Sequence, residues 1–138
     1  MAHRILKQSE TTVVVKVWGT GSTDTIAIAT EFLSPTMIVS GTPTANIIFA
    51  TWAVSAGAAD IITVTRNSIP VFNLYQNGQF DLAGNFSHPD DTGNTSDTVV
   101  TITGTGVIYL TYRKVAGWKS KIEPETYGPY DNPAAVGA

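Results

Sequence analysis

No cysteine occurs among the 138 residues, so neither a disulfide framework nor a thiolate metal centre is open to this chain. Histidine is nearly as scarce: His3 and His88 are the only imidazoles, and neither lies near a serine in a nucleophile-elbow context. A Ser-His-Asp constellation would have to use His88, because His3 sits in the opening segment. Charge is thin as well, at 14% of residues against roughly 25% in an ordinary soluble domain. Thr, Ser, Asn and Gly supply much of the polarity, which suits a surface that lies against another protein. No run of about 18 apolar residues is present, so no membrane-spanning helix is expected. The opening MAHRILKQSETT lacks an apolar h-region, and a chain made in a cytoplasm without a cleavable export signal is expected. The glycine clusters Gly19-Thr20-Gly21-Ser22 and Gly104-Thr105-Gly106 lead into further strand-like segments instead of opening a helix. They read as hairpin or inter-sheet turns, not as phosphate cradles. No enzymatic turnover and no cofactor are expected.

What the chain does have is period-two patterning. Val13, Val15 and Val17 alternate with Thr12, Val14, Lys16 and Trp18, and Ile26, Ile28, Thr30 and Phe32 alternate with Thr25, Ala27, Ala29 and Glu31. Such alternation suits pleated strands with one face buried. It predicts strands over 11–19, 24–33, 36–40, 45–54, 60–66, 69–76, 79–83, 97–103 and 106–115, separated by turn residues. Asn77-Gly78 predicts a tight type I′ hairpin, since both residues tolerate positive φ. Trp18, Trp52, Tyr109, Tyr112 and Phe49 all fall in strands, where core packing and cross-strand pairing account for them. The expected fold is an all-β antiparallel sandwich, jelly-roll-like, over residues 11–118. An extended N-terminal arm (1–10) and an extended C-terminal tail (119–138) flank it.

The net charge of −3 is unevenly laid out. Between Asp24 and Asp97 seven acidic residues face one basic residue, Arg66, for a local balance of −6. Arg4, Lys7 and Lys16 mark the start, and Arg113, Lys114, Lys119 and Lys121 cluster at and after the end of the last strand. A nucleic-acid binder is expected to show a basic face interleaved with aromatics and a pI far above the 5.1 of this chain, so neither nucleic acid nor membrane is an expected partner. The long polar connection 84–96 includes His88-Pro89-Asp90-Asp91 and Asn94, with Asp97 just beyond it. These supply oxygen ligands for a hard cation, but the spacing is not that of an EF-hand and no bidentate Glu closes it, so no metal is assigned. The last stretch, 116–138, carries Trp118, Tyr127 and Tyr130 among Pro124, Pro129 and Pro133, a composition suited to lying on a partner. Arg4, Lys7, Arg113, Lys114, Trp118, Lys119, Lys121, Tyr127 and Tyr130 are the expected partner-binding residues.

Two stretches carry a family likeness. Arg4-Ile5-Leu6-Lys7-Gln8-Ser9, followed by Val13-Val14-Val15-Lys16-Val17, resembles the start of small virion structural proteins of tailed bacteriophages of the cyanophage and marine-phage type. Thr101-Ile102-Thr103-Gly104, Ile108-Tyr109-Leu110 and Arg113-Lys114-Val115-Ala116-Gly117-Trp118 resemble the closing strands of the same group. The likeness implies a virion component made in the host cytoplasm. It would be a decoration (cement) protein that binds the assembled head and bridges coat subunits, or else a neck, tail or fibre-associated part. The implied partners are the major capsid protein or other virion proteins, with the chain itself a dimer or trimer on the particle. Host or carbohydrate binding ranks below these.

Overall fold

The computed structural model describes residues 2–33, 37–81 and 95–120. Residues 82–94 and 121–138 lie outside that set, and with them the cation-ligand candidates His88 to Asn94 and the tail residues Lys121, Tyr127 and Tyr130. The chain is an antiparallel all-β sandwich. Among the described residues the strands are β1 (Ala2–Gln8), β2 (Thr12–Ile26), β3 (Met37–Val39), β4 (Ala45–Val54), β5 (Ile61–Arg66), β6 (Ile69–Leu74), β7 (Asn77–Asp81), β8 (Thr98–Lys114) and β9 (Trp118–Ser120), with one helical turn, α1, at Ile28–Glu31.

Two long strands organise everything else. β2 and β8 run antiparallel from Thr12 opposite Arg113 to Ile26 opposite Thr98. Midway, Gly19 faces Gly106, and the register slips between Thr20 and Ser22. Gly21 and Gly104 there have φ of +56° and +88°, a region that glycine alone enters freely. The two glycine clusters are therefore the inter-sheet bend, where the ribbon turns from one layer into the other. On one side of the bend the layer order is β1-β2-β8-β4-β7; on the other, β8 pairs with β5 and β5 with β6. The first layer sends Val13, Val15, Val17, Ala45, Ile47, Ala50, Ile108, Leu110 and Tyr112 inward. Ile26, Ile62, Val64, Phe72, Val100 and Ile102 of the second meet them in one core. β3 and β9 form a separate two-stranded sheet.

Several local expectations are corrected. Residues 2–8 do not extend away as an arm; they form β1, paired along β2 with Ile5 against Val15. Asn77-Gly78 is not a hairpin turn but the start of β7, paired with Ala53 and Trp52 of β4. β6 and β7 belong to different layers, and the chain crosses between them at Tyr75–Gln76, with φ of +57° at Gln76. Gly78 lies flat against Trp52, whose ring would stand 3.0 Å from a Cβ at that position. The tight two-residue turn lies instead at Asn67-Ser68, with φ of 52° and 62°, joining β5 to β6. The expected strand 24–33 breaks after Ile26. Asp97 accepts the Ile28 amide and Glu31 the Ala27 amide through their side chains, drawing the backbone out of the ladder into one helical turn. Ile28 and Phe32 still reach the core, because a spacing of four serves one face of a helix as well as it serves a strand.

Candidate functional site

The inward phase of each strand leaves the opposite phase facing out, and on the first layer that outer face has a distinct composition. Register places its residues in rows. One row runs Ala2, Trp18, Val107, Ala53 and Asn77; the next runs Arg4, Lys16, Tyr109, Thr51 and Gln79; a third runs Lys7, Val14, Thr111, Phe49 and Asp81. Arg113 continues the β8 column beside Thr12. A ridge of aromatic and aliphatic groups (Trp18, Tyr109, Val14, Val107, Phe49) thus occupies the middle of the face. Lys16 stands within the ridge on β2, Arg4 and Lys7 lie beside it on β1, Arg113 lies beyond its end on β8, and the single carboxylate of these rows, Asp81, lies at the far edge.

Lys16 joins the two characters of this surface. Its ammonium lies 5.0 Å from the Trp18 ring centre and 5.8 Å from that of Tyr109. An ammonium over aromatic faces is attracted by the ring quadrupole and held in place, so the charge is presented from a fixed position. Trp18 itself is 38% exposed on this open face, whereas Tyr112, from the opposite phase of β8, is fully buried edge-on to Phe32.

Three of the sheet edges are unsuited to strand addition. Among the described residues β1 and β7 bound the first layer, and β6 and the Ser22–Ile26 half of β2 bound the second. β1 carries a register slip at Leu6 next to Lys7, β6 contains Pro70, and β7 is only five residues long and ends in Asp81. A bulge, a lysine, a proline and a short charged strand are each devices that blunt a sheet edge.

The expected partner-binding residues divide accordingly. Arg4 and Lys7 are exposed and Arg113 is half-buried, all on the outer face. Lys114 is turned inward and is not available to a partner. It is 7% exposed, and its Nζ donates to the Ser9 carbonyl at 2.7 Å and lies 5.0 Å from the Trp118 ring. Burial lowers its pKa, with the charge of Glu10 opposing the shift. Trp118 is likewise engaged by the fold: it packs on the core and donates its indole N–H to the Thr44 carbonyl at 2.8 Å. Lys119 is half-buried in β9 opposite Ile38. Lys16, Trp18, Tyr109 and Phe49 were not among the expected contacts, although the signal was there. Trp18 shares its phase with Lys16 and Tyr109 with Arg113, opposite to the all-valine phase. Among the described residues no group of three or more His, Asp or Glu side chains is placed to hold a metal ion. The chain shows no match to protein-family models, to curated proteins or to solved structures.

Proposed function

We propose that this chain is a non-enzymatic structural protein that docks, through the outer face of its first layer, onto an acidic patch of a larger protein assembly. The observation that carries the reading is the aromatic ridge with Lys16 within it, Arg4 and Lys7 beside it on β1 and Arg113 at its end. Apolar and aromatic area supplies the attraction on desolvation, and the basic flank selects and orients an acidic partner. On the strength of the resemblance at Arg4–Ser9 and Arg113–Trp118, the assembly is the virion of a tailed phage, and the chain a decoration protein of its head. Modest contacts suffice there, because each is repeated over many copies of one lattice.

A second reading, recognition of a host glycan, is favoured by the exposure of Trp18 beside Tyr109. Lys16 weighs against it for neutral sugars, since its ammonium already lies over both rings and would have to be displaced. The test is the occupancy of purified particles by the complete chain carrying Lys16→Ala and Trp18→Ala together. Loss of head occupancy supports docking by this face. Full occupancy overturns it, density at the neck or tail moves the site, and retention of the wild-type chain on a glycan array turns the reading to host binding.

A further inference from the structure

The imidazole of His3 is held between two carboxylates that come from different elements. Its Nδ1 lies 2.6 Å from Asp24 Oδ2 of β2, and its Nε2 lies 2.5 Å from Glu31 Oε1 of α1. Each carboxylate spends its other oxygen on a backbone amide, Asp24 on Thr25 and Glu31 on Ala27, so both are fixed acceptors. A neutral imidazole has one N–H and one bare lone pair. Only one of the two contacts can then be a hydrogen bond, and the other sets a lone pair against a carboxylate oxygen. Both contacts are attractive together only when the ring carries two protons.

We propose that His3 is a proton-operated latch: as the imidazolium it fastens the start of β1 to β2 and α1, and as the neutral ring it releases that half of the strand together with Arg4. Among the described residues the charged groups around the ring are few. β2 presents Asp24 and α1 presents Glu31; Arg4 and Lys7 of β1 point to the opposite, outer face, and Asp97 before β8 is engaged with the Ile28 amide. The far end of β1 is tied independently, by the Gln8 side chain donating to the Glu31 carbonyl at 2.7 Å, a contact without a titrating group. Release is therefore a fraying from residue 2 toward the bulge at Leu6, not loss of the whole strand. Partial burial works against the charged ring, but the hydrogen bonds and charges of Asp24 and Glu31 outweigh it, and the His3 pKa is raised above its ordinary 6.5. A group more basic in the folded state contributes its full stabilisation below pH 6.5 and loses it as pH rises through the raised value. The consequence for attachment, that the face loses Arg4 as the medium turns alkaline, rests on the docking reading above; the latch itself does not.

The test is a pH titration of the complete chain by NMR. It follows the His3 ring and the exchange protection of the amides of residues 3–5, with those of residues 107–113 in β8 as the internal standard. The His3 pKa is expected above 6.5, and protection of residues 3–5 is expected to fall by about tenfold between pH 6 and pH 9 while β8 is unchanged. His3→Gln should show the low protection at both pH values, with β8 reporting that it is folded. Asp24→Asn combined with Glu31→Gln should return the His3 pKa to 6.5 or below. A His3 pKa at or below 6.5 in the native chain, protection of residues 3–5 that does not depend on pH, or a His3→Gln chain as well protected at pH 6 as the native one would each overturn the latch. None of these readouts involves a partner. Failure of particle occupancy with the latch intact counts against docking alone.

Discussion

The guanidinium of Arg66 lies 5.7 Å from the ring of Tyr112, and both side chains are buried completely. Arg66 reaches across the end of the core to donate to the carbonyl of Ala45 at 2.6 Å, and to that of Ser96 through Nε and Nη2 at 3.2 and 2.9 Å. Tyr112 in turn donates its hydroxyl to Thr98 at 2.7 Å. One cation thus ties the end of β5 to the start of β4, through a buried contact, and to the approach of β8, through part-buried ones.

Arg66→Lys keeps the charge but cannot reproduce the forked donors, and it leaves at least one buried carbonyl unpaired. We expect a loss of about 2–4 kcal/mol, read as a lower urea midpoint at unchanged slope. A loss below about 1 kcal/mol would mean that the guanidinium is not the tie described.

Gly104 and Gly41 separate crowding from strain. Both have positive φ, +88° and +83°, but a Cβ at Gly104 would stand 2.5 Å from the Asp60 carboxyl carbon, whereas at Gly41 nothing lies within 4 Å. Gly41→Ala should cost about 1 kcal/mol from backbone strain, and Gly104→Ala at least about 1 kcal/mol more. Equal melting temperatures for the two variants would contradict the close packing of the bend.

Trp18 and Tyr112 are both aromatic residues of the central ribbon, yet they should respond oppositely to truncation. Tyr112→Ala empties a filled core and should cost about 3–5 kcal/mol, while Trp18→Ala should cost about 1 kcal/mol or less. Chemical denaturation of the two variants measures the contrast, and a large loss at Trp18 would return it to the core.

Lys114 gives stability a pH dependence of its own. The folded chain holds it less basic than the ordinary 10.5, so unfolding takes up a proton between the two values. Stability should therefore rise as pH climbs through that window toward 10.5, relative to a Lys114→Met variant. Urea midpoints for the pair at pH 8 and pH 10 give the sign, and a native chain that loses ground to the variant on the way up would refute it.

Alternation in the sequence made much of this architecture readable, with β4 at 45–54 matching its expected span. β1 escaped because its two apolar residues, Ile5 and Leu6, are adjacent. The bulge at Leu6 interrupts the period just where a reader looks for it. Asn77-Gly78 misled because the turn chemistry of Asn-Gly was weighed without asking whether its flanks share a sheet; the glycine lies flat against the Trp52 ring. At the candidate face, Arg4, Lys7 and Arg113 were found by their charge. Lys114 was grouped with Arg113 by proximity along the chain, although neighbouring residues of a strand point to opposite sides. Trp18 and Tyr109 were passed over because aromatics in strands are so often core residues, and only their phase distinguishes them. The pairing of His3 with Asp24 and Glu31 joins residues 21 and 28 positions apart, and no local pattern announces it.

The strand to which β2, β4 and β5 are all hydrogen-bonded is β8, and it begins only at Thr98. While the chain is being synthesised, everything before that point can form only separate pairs: the hairpins of β1 with β2 and β5 with β6, and the pairing of β4 with β7 across the latter. Thr12 cannot meet Arg113 until about a hundred residues separate them along the emerged polypeptide, so core closure waits for nearly the whole sandwich to leave the ribosome. Until then the valine phase of β2 is open to solvent and to other nascent chains. A message truncated before the codon for Thr98 yields a product that lacks the strand joining β2, β4 and β5, and its core is left open.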